Sequence, residues 1–325
     1  MGSLRFLALP LLAATAILTA PLSAGAQNYP TKVVHIIVPF APGGSADLIA
    51  RTVAAKLTDG MGQQVVVENR QAGGGRLGVE STVNAAPDGY TLLVTPNGPM
   101  SIARYAAQLP YDTLTDLAPV SMLATIPAGI AVNAQLPPKT LAEYIAYAKA
   151  RPGQLNYAVS SIGTHMHLAG ELLKSMTGIN VVAVPYRGTG PAAAALSAGE
   201  VQAGVLDLAS LLPAQSRGAV RILAIADPKR TSTAPDIPTA AEAGVPGFGV
   251  TAWIAMFAPA KTPAPIIAKI NGEVGKALRM ADVRDILTKA GIEPTPSTPE
   301  EMGKILRDQI ADFGKIIKEA NIKFD

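Results

Sequence analysis

A glycine-rich turn near the start of the chain has the composition of an anion-binding loop. The segment Pro42-Gly43-Gly44-Ser45-Ala46-Asp47 leads into a stretch with helical periodicity. Glycines let backbone N–H groups turn outward, and the first turn of a helix has N–H groups without intrahelical partners. We therefore take Gly43 and Gly44 as candidate ligand-binding residues, with a plain tight turn as the alternative. Asp47 is also a candidate, although its place in the first helical turn favours capping.

Two more turns of the same kind follow apolar, strand-like segments. Gly73-Gly74-Gly75 comes after residues 64–68, and Pro96-Asn97-Gly98 comes after residues 91–95. Open α/β sheets bind ligands beyond the carboxyl ends of their strands, so turns of this kind are expected to meet at one site. The third turn adds two candidate ligand-binding residues: Thr95 and Asn97.

The second turn also resembles a nucleotide-binding motif. Gly73, Gly75 and Gly78 fit the pattern G-x-G-x-x-G, but the fingerprint also needs an acidic residue about 20 positions on, at the end of the next strand. Asp88 precedes that strand, so we expect no nucleotide cofactor. His165 and His167 cannot bind one metal ion, because helix positions i and i+2 point in nearly opposite directions. We therefore expect neither a cofactor nor a metal.

Turns in the second half of the chain offer complementary groups. Ser160-Ser161-Ile162-Gly163-Thr164-His165 joins a predicted strand to a predicted helix and supplies hydroxyls and N-terminal amides. For His165, a position in the cleft wall and packing at the start of the helix remain alternatives. The candidate residues of this turn are Ser160, Ser161, Gly163, Thr164 and His165.

A basic side chain lies in the next strand-to-helix turn. Arg187, in Pro185-Tyr186-Arg187-Gly188-Thr189-Gly190-Pro191, could bind a carboxylate with two parallel hydrogen bonds. Pairing with a structural acid such as Asp207 or Glu171 is the alternative. Asp207 ends a predicted strand where a helix follows, which favours capping. The candidates from these turns are Arg187, Gly188, Thr189 and Asp207.

The motifs favour a binding protein over an enzyme. The chain has no G-x-S-x-G, no S-x-x-K and no cysteine, and its three histidines have no nucleophile and base arranged beside them in sequence. Catalytic triads form in space and in any chain order, so a periplasmic hydrolase using Ser160 or Ser161 with His165 and Asp207 stays as the alternative.

Alternating strand-like and helix-like segments predict an α/β fold with parallel sheets covered on both faces. We expect two lobes, joined where the chain crosses near residues 125–133 and returns near residues 243–252. Lobe 1 would comprise residues 27–125 and 246–325, and lobe 2 residues 126–245. The C-terminal helices would pack back on lobe 1. Two crossings form a hinge, because a few residues between rigid bodies can absorb a closing rotation.

The N-terminus predicts export. Arg5 precedes an apolar run, and Ala24-Gly25-Ala26 is a small-residue cleavage site, so residues 1–26 read as a signal peptide and the location as periplasmic. The full chain has 27 basic and 24 acidic residues, a net charge of +3. Such a balance gives no reason to expect a nucleic-acid partner, and we expect a monomer.

Several motifs resemble a known family. They are Pro39-Phe40-Ala41-Pro42-Gly43-Gly44 with Asp47 and Arg51, Val67-Glu68-Asn69-Arg70, Pro87-Asp88-Gly89-Tyr90-Thr91, His167-Leu168-Ala169-Gly170-Glu171, Val184-Pro185-Tyr186-Arg187-Gly188 and Thr239-Ala240-Ala241-Glu242-Ala243-Gly244-Val245-Pro246-Gly247. Together they cover nearly the whole mature chain. They resemble the Bug receptors of tripartite tricarboxylate transporters.

The resemblance implies a two-lobed periplasmic binding protein fold of the second type. It also implies delivery of a small carboxylate, such as a dicarboxylate, an amino acid or an aromatic acid, to membrane transporter components or to a sensor protein. In the family, glycine loops of lobe 1 hold the carboxylate, which adds Ala41 to the candidates. Pro96-Asn97-Gly98-Pro99 departs from the family pattern, where the distal part of a ligand would lie.

Overall fold

The structure is a computed structural model that describes residues 29–186, 188–319 and 322. The predicted signal peptide and Arg187 lie outside the described residues. Within this part of the chain, no helix combines the length and the apolar character that a membrane span requires.

Strands and helices alternate along most of the described chain. The strands are β1 (Val34–Val38), β2 (Val65–Asn69), β3 (Thr91–Pro96), β4 (Leu117–Thr125), β5 (Ala128–Asn133), β6 (Leu155–Val159), β7 (Val181–Pro185), β8 (Ala203–Asp207), β9 (Val220–Ile225), β10 (Trp253–Pro259) and β11 (Glu293–Pro294). The helices are α1 (Ser45–Met61), α2 (Arg76–Val83), α3 (Ala103–Ala106), α4 (Leu141–Lys149), α5 (His165–Thr177), α6 (Thr189–Ala198), α7 (Leu208–Ser216), α8 (Ala264–Arg279), α9 (Ala281–Lys289) and α10 (Pro299–Glu319).

The strands form two separate sheets. The six-stranded sheet of lobe 1 has the order β11-β4-β10-β3-β1-β2, and the five-stranded sheet of lobe 2 has the order β7-β6-β8-β5-β9. The expectation of parallel sheets is wrong for part of each. Strand β10 runs antiparallel to β3 and β4, and β5 runs antiparallel to β8 and β9. In each sheet a reversed strand adjoins a crossing between the lobes, and in lobe 1 the short β11 also runs antiparallel to β4.

The chain passes between the sheets twice. Strand β4 ends one sheet at Thr125 and β5 begins the other at Ala128, so the first crossing is two residues long. The backbone N–H of Ile126 donates to the Ala252 carbonyl at 3.0 Å, which places the returning segment beside the outgoing one. Two adjacent short segments allow the lobes to rotate as rigid bodies.

Each sheet has its own apolar core, and the division into lobes at residues 125 and 246 stays a proposal. Phe248 and Val250 pack in the apolar core of lobe 2, beyond the boundary expected at residue 246, while Ala252 packs in that of lobe 1. Helices α8 and α9 pack on α1, as expected for C-terminal helices that return to lobe 1. Helix α10 packs on β4 but also reaches α5, and Phe313 contributes to the core of lobe 2. The last helix therefore connects both lobes.

Local sequence explains how the helices that face the cleft begin and end. In α1, Ile49, Val53 and Leu57 recur at a spacing of four residues and are fully or almost fully buried. The helix stops at Gly62, which adopts the left-handed conformation that glycine tolerates best. In α5, the Thr164 hydroxyl accepts a hydrogen bond from the His167 N–H at 3.3 Å, so this residue caps the helix.

Candidate functional site

A cavity of about 440 Å³ lies between the lobes and is lined by turns of both. Lobe 1 contributes Phe40, Gly74 and the segment from Pro96 to Pro99, while lobe 2 contributes the segment from Ser161 to His165. These turns follow β1, β2, β3 and β6. The carboxyl ends of strands from two separate sheets therefore face one shared space, as a cleft that closes on a ligand requires.

Asp47 holds the first turn in place. Its buried carboxylate accepts hydrogen bonds from the Gly43 N–H at 3.0 Å, from Arg51 Nε at 3.0 Å and from Asn69 Nδ2 at 2.9 Å. Asn69 also donates to the Phe40 carbonyl at 3.0 Å, which ties β2 to the start of the turn. Both oxygens of Asp47 are thus occupied by the protein. They hold the Gly43 N–H, which lies before the helix, and cap no N–H of the first turn of α1.

This network sets the protonation state of Asp47. Burial acts to raise the pKa of the carboxyl, but hydrogen bonds from Arg51, the Gly43 N–H and Asn69 outweigh it and hold the pKa below its ordinary value. The carboxylate consequently stays ionised at neutral pH. Its charge is compensated within the turn, which leaves the neighbouring amides free of a competing anion.

Gly43 and Gly44 leave the N-terminus of α1 exposed, a few residues after Phe40, which lines the cavity. Gly43 has a φ of +87°, in the left-handed region that side chains disfavour. Gly44 is the N-cap of α1 and provides no side-chain hydrogen bond to the helix. The N–H groups of the first helical turn therefore have no side-chain cap, and both glycines are exposed. Ala41 is exposed at the start of the same turn.

The three turns of lobe 1 pack on one another. A Cβ atom on Gly75 would come within 2.7 Å of Pro99 Cγ and 3.1 Å of Phe40 Cζ, so the second turn touches both the first and the third. Only glycine allows this approach, which explains the glycine here without a nucleotide. Packing of this kind makes the lobe 1 side of the cleft a preformed surface.

Thr95 and Asn97 lie at the end of β3, next to the cavity. Both are buried, and Asn97 Nδ2 donates to the Thr251 carbonyl at 3.3 Å and to Gln309 Oε1 at 3.2 Å. Gln309 in turn donates to the same Thr251 carbonyl at 2.8 Å. The third turn is thereby joined to the returning crossing and to α10. Asn97 lines the cavity, whereas the Thr95 hydroxyl donates to the Pro96 carbonyl at 3.2 Å.

On lobe 2, two turns lie side by side. The Gly188 N–H donates to the Ser160 carbonyl at 3.1 Å, which places the start of α6 beside the turn that precedes α5. Gly188 is the N-cap of α6 and Thr189 its first residue, and no side chain caps this helix. Gly163 and Thr164 line the cavity, as does the exposed Ser161. Uncapped helix N-termini favour a negatively charged ligand.

His165 and Asp207 form a buried contact on lobe 2. His165 Nε2 lies 3.7 Å from Asp207 Oδ1, and neither atom has a hydrogen-bond partner in the described part of the chain. His165 also lines the cavity. Neither Ser160 nor Ser161 is hydrogen-bonded to His165 among the described residues, so the arrangement lacks the nucleophile contact of a hydrolase. The histidine forms part of the cleft wall, one of the two positions considered from the sequence.

Asp227 is a titratable residue at the first crossing that the sequence reasoning missed. It is 8% exposed, and its carboxylate accepts a hydrogen bond from the Ala128 N–H at 3.3 Å. Burial raises the pKa of Asp227 to about 7, against the opposing effects of this bond, the Thr251 side chain and nearby His165, while Glu293 raises it further. The only sequence signal was its position just after the apolar run of β9.

The raised pKa of Asp227 predicts a pH-dependent stability. A carboxyl with a higher pKa in the folded state contributes stability below its unfolded value near 4, and this contribution is lost as pH rises to about 7. Between pH 4 and 7, we expect the unfolding free energy of Asp227→Asn to fall by about 1 to 4 kcal/mol less than that of the wild type. Urea unfolding at several pH values measures it, with exposed Asp236→Asn as the control. Equal slopes in the wild type and both variants would refute it.

The sequence identified the turns better than it identified the cavity walls. Asn97, Ser161, Gly163, Thr164 and His165 line the cavity, and Gly43, Gly44, Ser160, Gly188 and Asp207 lie in or beside the adjoining turns. Direct ligand contact by any of these candidates stays a prediction. Residues that line the cavity and were not predicted are Phe40, Arg76, Ile102, Ala103, Ala106, Ala107, Leu109 and Tyr111. Most of these side chains are small or apolar and carry no chemical signal in the sequence; Arg76 and Tyr111 are the polar exceptions.

Comparison with known proteins places the chain in a family. The profile of the tripartite tricarboxylate transporter family receptor matches residues 49–322. The protein BugT of Bordetella pertussis is 36% identical over 312 residues, which cover 95% of each chain.

Solved structures agree with this match. The structure of Rpa4515 from R. palustris with adipate has a TM-score of 0.80 at 35% identity, and covers 91% of this chain and 99% of its own. MatC from Rhodopseudomonas palustris with bound malate has a TM-score of 0.76 at 35% identity, with 89% and 100% covered. The periplasmic binding protein BugD has a TM-score of 0.75 at 30% identity, with 91% and 99% covered.

These neighbours confirm the two-lobed periplasmic binding protein fold of the second type. The family whose profile matches this chain consists of solute-binding receptors and not of enzymes. The resemblance seen in the sequence motifs is likewise confirmed. The chain belongs to the tripartite tricarboxylate transporter family receptors, the Bug receptors.

Proposed function

We propose that this protein is a periplasmic receptor that captures a small carboxylate between its lobes. The observation that carries the proposal is the cavity lined by turns of both lobes beside helix N-termini that no side chain caps. Related structures with adipate and malate support a carboxylate as the solute. The receptor would deliver it, as a monomer, to the membrane components of a tripartite tricarboxylate-type transporter.

Backbone amides would supply most of the recognition. An anion at a helix N-terminus gains about 0.3 to 1 kcal/mol from each helix, and up to ~2 kcal/mol where the site is partly buried. Hydrogen bonds to a charged group add about 1.5 to 3 kcal/mol each. Toward the upper end of these ranges, two such termini with three hydrogen bonds reach the roughly 8 kcal/mol of micromolar binding. Arg187 would strengthen the site if its guanidinium binds the same carboxylate.

The hinge couples binding to delivery. The crossings at Ile126 and Ala252 are joined by a backbone hydrogen bond, and Asn97 and Gln309 attach the third turn to the neighbouring Thr251 carbonyl. A ligand that contacts both lobes favours the closed arrangement, because it binds that state more tightly than the open one. Presentation to a sensor protein instead of a transporter would use the same closure, and identification of the membrane partner separates the two.

A thermal-shift screen with carboxylates tests the proposed function. A ligand present at 100 times its dissociation constant adds about 2.7 kcal/mol to the unfolding free energy, which raises the melting temperature measurably. We expect stabilisation by at least one small carboxylate and none by its methyl ester or primary amide, because both lack the negative charge. Equal stabilisation by the acid and its amide would contradict carboxylate recognition.

A further inference from the structure

The cavity has two chemically different ends. At the lobe 2 end lie the hydroxyls and amides of the turn from Ser161 to His165. The remaining wall has three polar side chains, Asn97, Arg76 and Tyr111, but is largely apolar, with Phe40, Pro99, Ile102, Ala103, Ala106 and Leu109. We call this part the apolar chamber. A ligand whose carboxylate lies at the polar end would have to place the rest of its body in the apolar chamber.

The small side chains of Ala103 and Ala106 leave room for the apolar chamber. Ala103 is half-buried and Ala106 is exposed, and both belong to the short helix α3 that follows the third turn. The preceding Ile102 is only 1% exposed and packs in the core of lobe 2, so the wall is anchored at its base. Larger side chains at either alanine would extend from a fixed wall into the cavity.

The chamber is poorly suited to a second negative charge. Tyr111 is 8% exposed, and its buried hydroxyl, which has no hydrogen-bond partner among the described residues, is a neutral group that supplies no positive charge. Arg76 is the one arginine or lysine among the described lining residues, and it is exposed to water. Pairing with an exposed cation changes affinity by about fivefold or less, which does not offset moving a carboxylate into an apolar space.

We infer that the solute of this receptor is a monocarboxylate with an apolar body that fills the apolar chamber, and that Ala103 and Ala106 limit its size. This inference rests on the proposed function, because it requires the carboxylate to lie at the polar end. Each methylene buried in such a chamber gains about 0.8 kcal/mol, or about fourfold in affinity. Affinity should therefore rise steadily with the length of the alkyl chain until the chamber is full.

Calorimetric titration with butyrate, pentanoate, hexanoate and octanoate tests the inference. We expect the dissociation constant to fall about fourfold per methylene, and hexanoate to bind more tightly than adipate. Ala103→Phe should remove most of this dependence, because the added ring would fill the apolar chamber. Exposed Ala268→Phe, on α8 of the same lobe, is the matched control and should behave as the wild type.

The outcomes separate the two proposals. Butyrate binding with no gain along the series, or tighter binding of adipate than hexanoate, overturns the apolar chamber but leaves the carboxylate receptor standing. An unchanged chain-length dependence in folded Ala103→Phe also overturns it. Ala106→Phe, at an exposed position, repeats the test if Ala103→Phe does not fold. Failure of every carboxylate to bind the wild type overturns both proposals.

Discussion

Replacing Gly44 with valine is expected to weaken carboxylate binding at least about 100-fold while the protein stays folded. Gly44 has a φ of −80°, which any residue adopts, and an added Cβ would meet only the Ala41 carbonyl oxygen, at 3.9 Å. The unfolding free energy should therefore fall by less than about 1 kcal/mol. The new isopropyl group would stand at the open N-terminus of α1, where it excludes an anion.

The size of this effect follows from the contacts that would be lost. Two hydrogen bonds from backbone amides to a carboxylate contribute about 1.5 kcal/mol or more each, and a loss of 2.7 kcal/mol is a factor of about 100. Titration calorimetry measures the affinity, and urea unfolding measures the stability. Gly272→Val, at an exposed glycine of α8, is the matched control. Unchanged affinity in folded Gly44→Val would exclude the first turn from the site.

Replacing Asp47 with alanine is expected to reduce both stability and affinity. The change leaves the Gly43 N–H and the Asn69 amide without their shared acceptor, and it removes one of the two side chains to which Arg51 donates. Breaking hydrogen bonds to a buried charged group costs about 2 to 4 kcal/mol of unfolding free energy. The freed turn should also lose at least about tenfold in affinity, because its amides are no longer held in one arrangement.

Comparison with Arg51→Ala identifies which part of the network matters. The Arg51 side chain is half exposed, so its loss should cost less than about 1 kcal/mol. The lowered pKa of Asp47 means that its stabilisation is present above pH 4 and is lost on acidification. The unfolding free energy of Asp47→Ala should accordingly change less between pH 5 and pH 3 than that of the wild type. Exposed Asp312→Ala is the control, and equal effects of all three substitutions would contradict the account.

The sequence was most informative where backbone geometry dictates residue type. We could predict that the glycines after β1 and β2 and the turn from Ser160 to His165 face the cleft. Open α/β sheets bind ligands beyond the carboxyl ends of their strands, where these turns lie. The Asp47, Arg51 and Asn69 motifs were visible as well, but their mutual hydrogen bonds were not, since Asn69 lies on a different strand.

Long-range pairing explains what the sequence did not reveal. Nothing local distinguishes β10 as antiparallel, because its direction depends on how the chain returns from lobe 2 and not on residues 253–259. The groups that contact Asp227, the Ala128 N–H and the Thr251 side chain, are remote from it in sequence, so its buried position could not be predicted. Ala103 and Ala106 look like ordinary helix residues, and only their placement beside the third turn makes them cavity walls.

A crystal structure with a carboxylate from the thermal-shift screen would locate the bound anion. We expect its oxygens within about 3.5 Å of backbone N–H groups, or of water molecules bound to them, in the turn from Pro42 to Asp47 and in that from Ser160 to His165. A carboxylate bound away from both turns, or held by side chains of one lobe alone, would contradict this expectation.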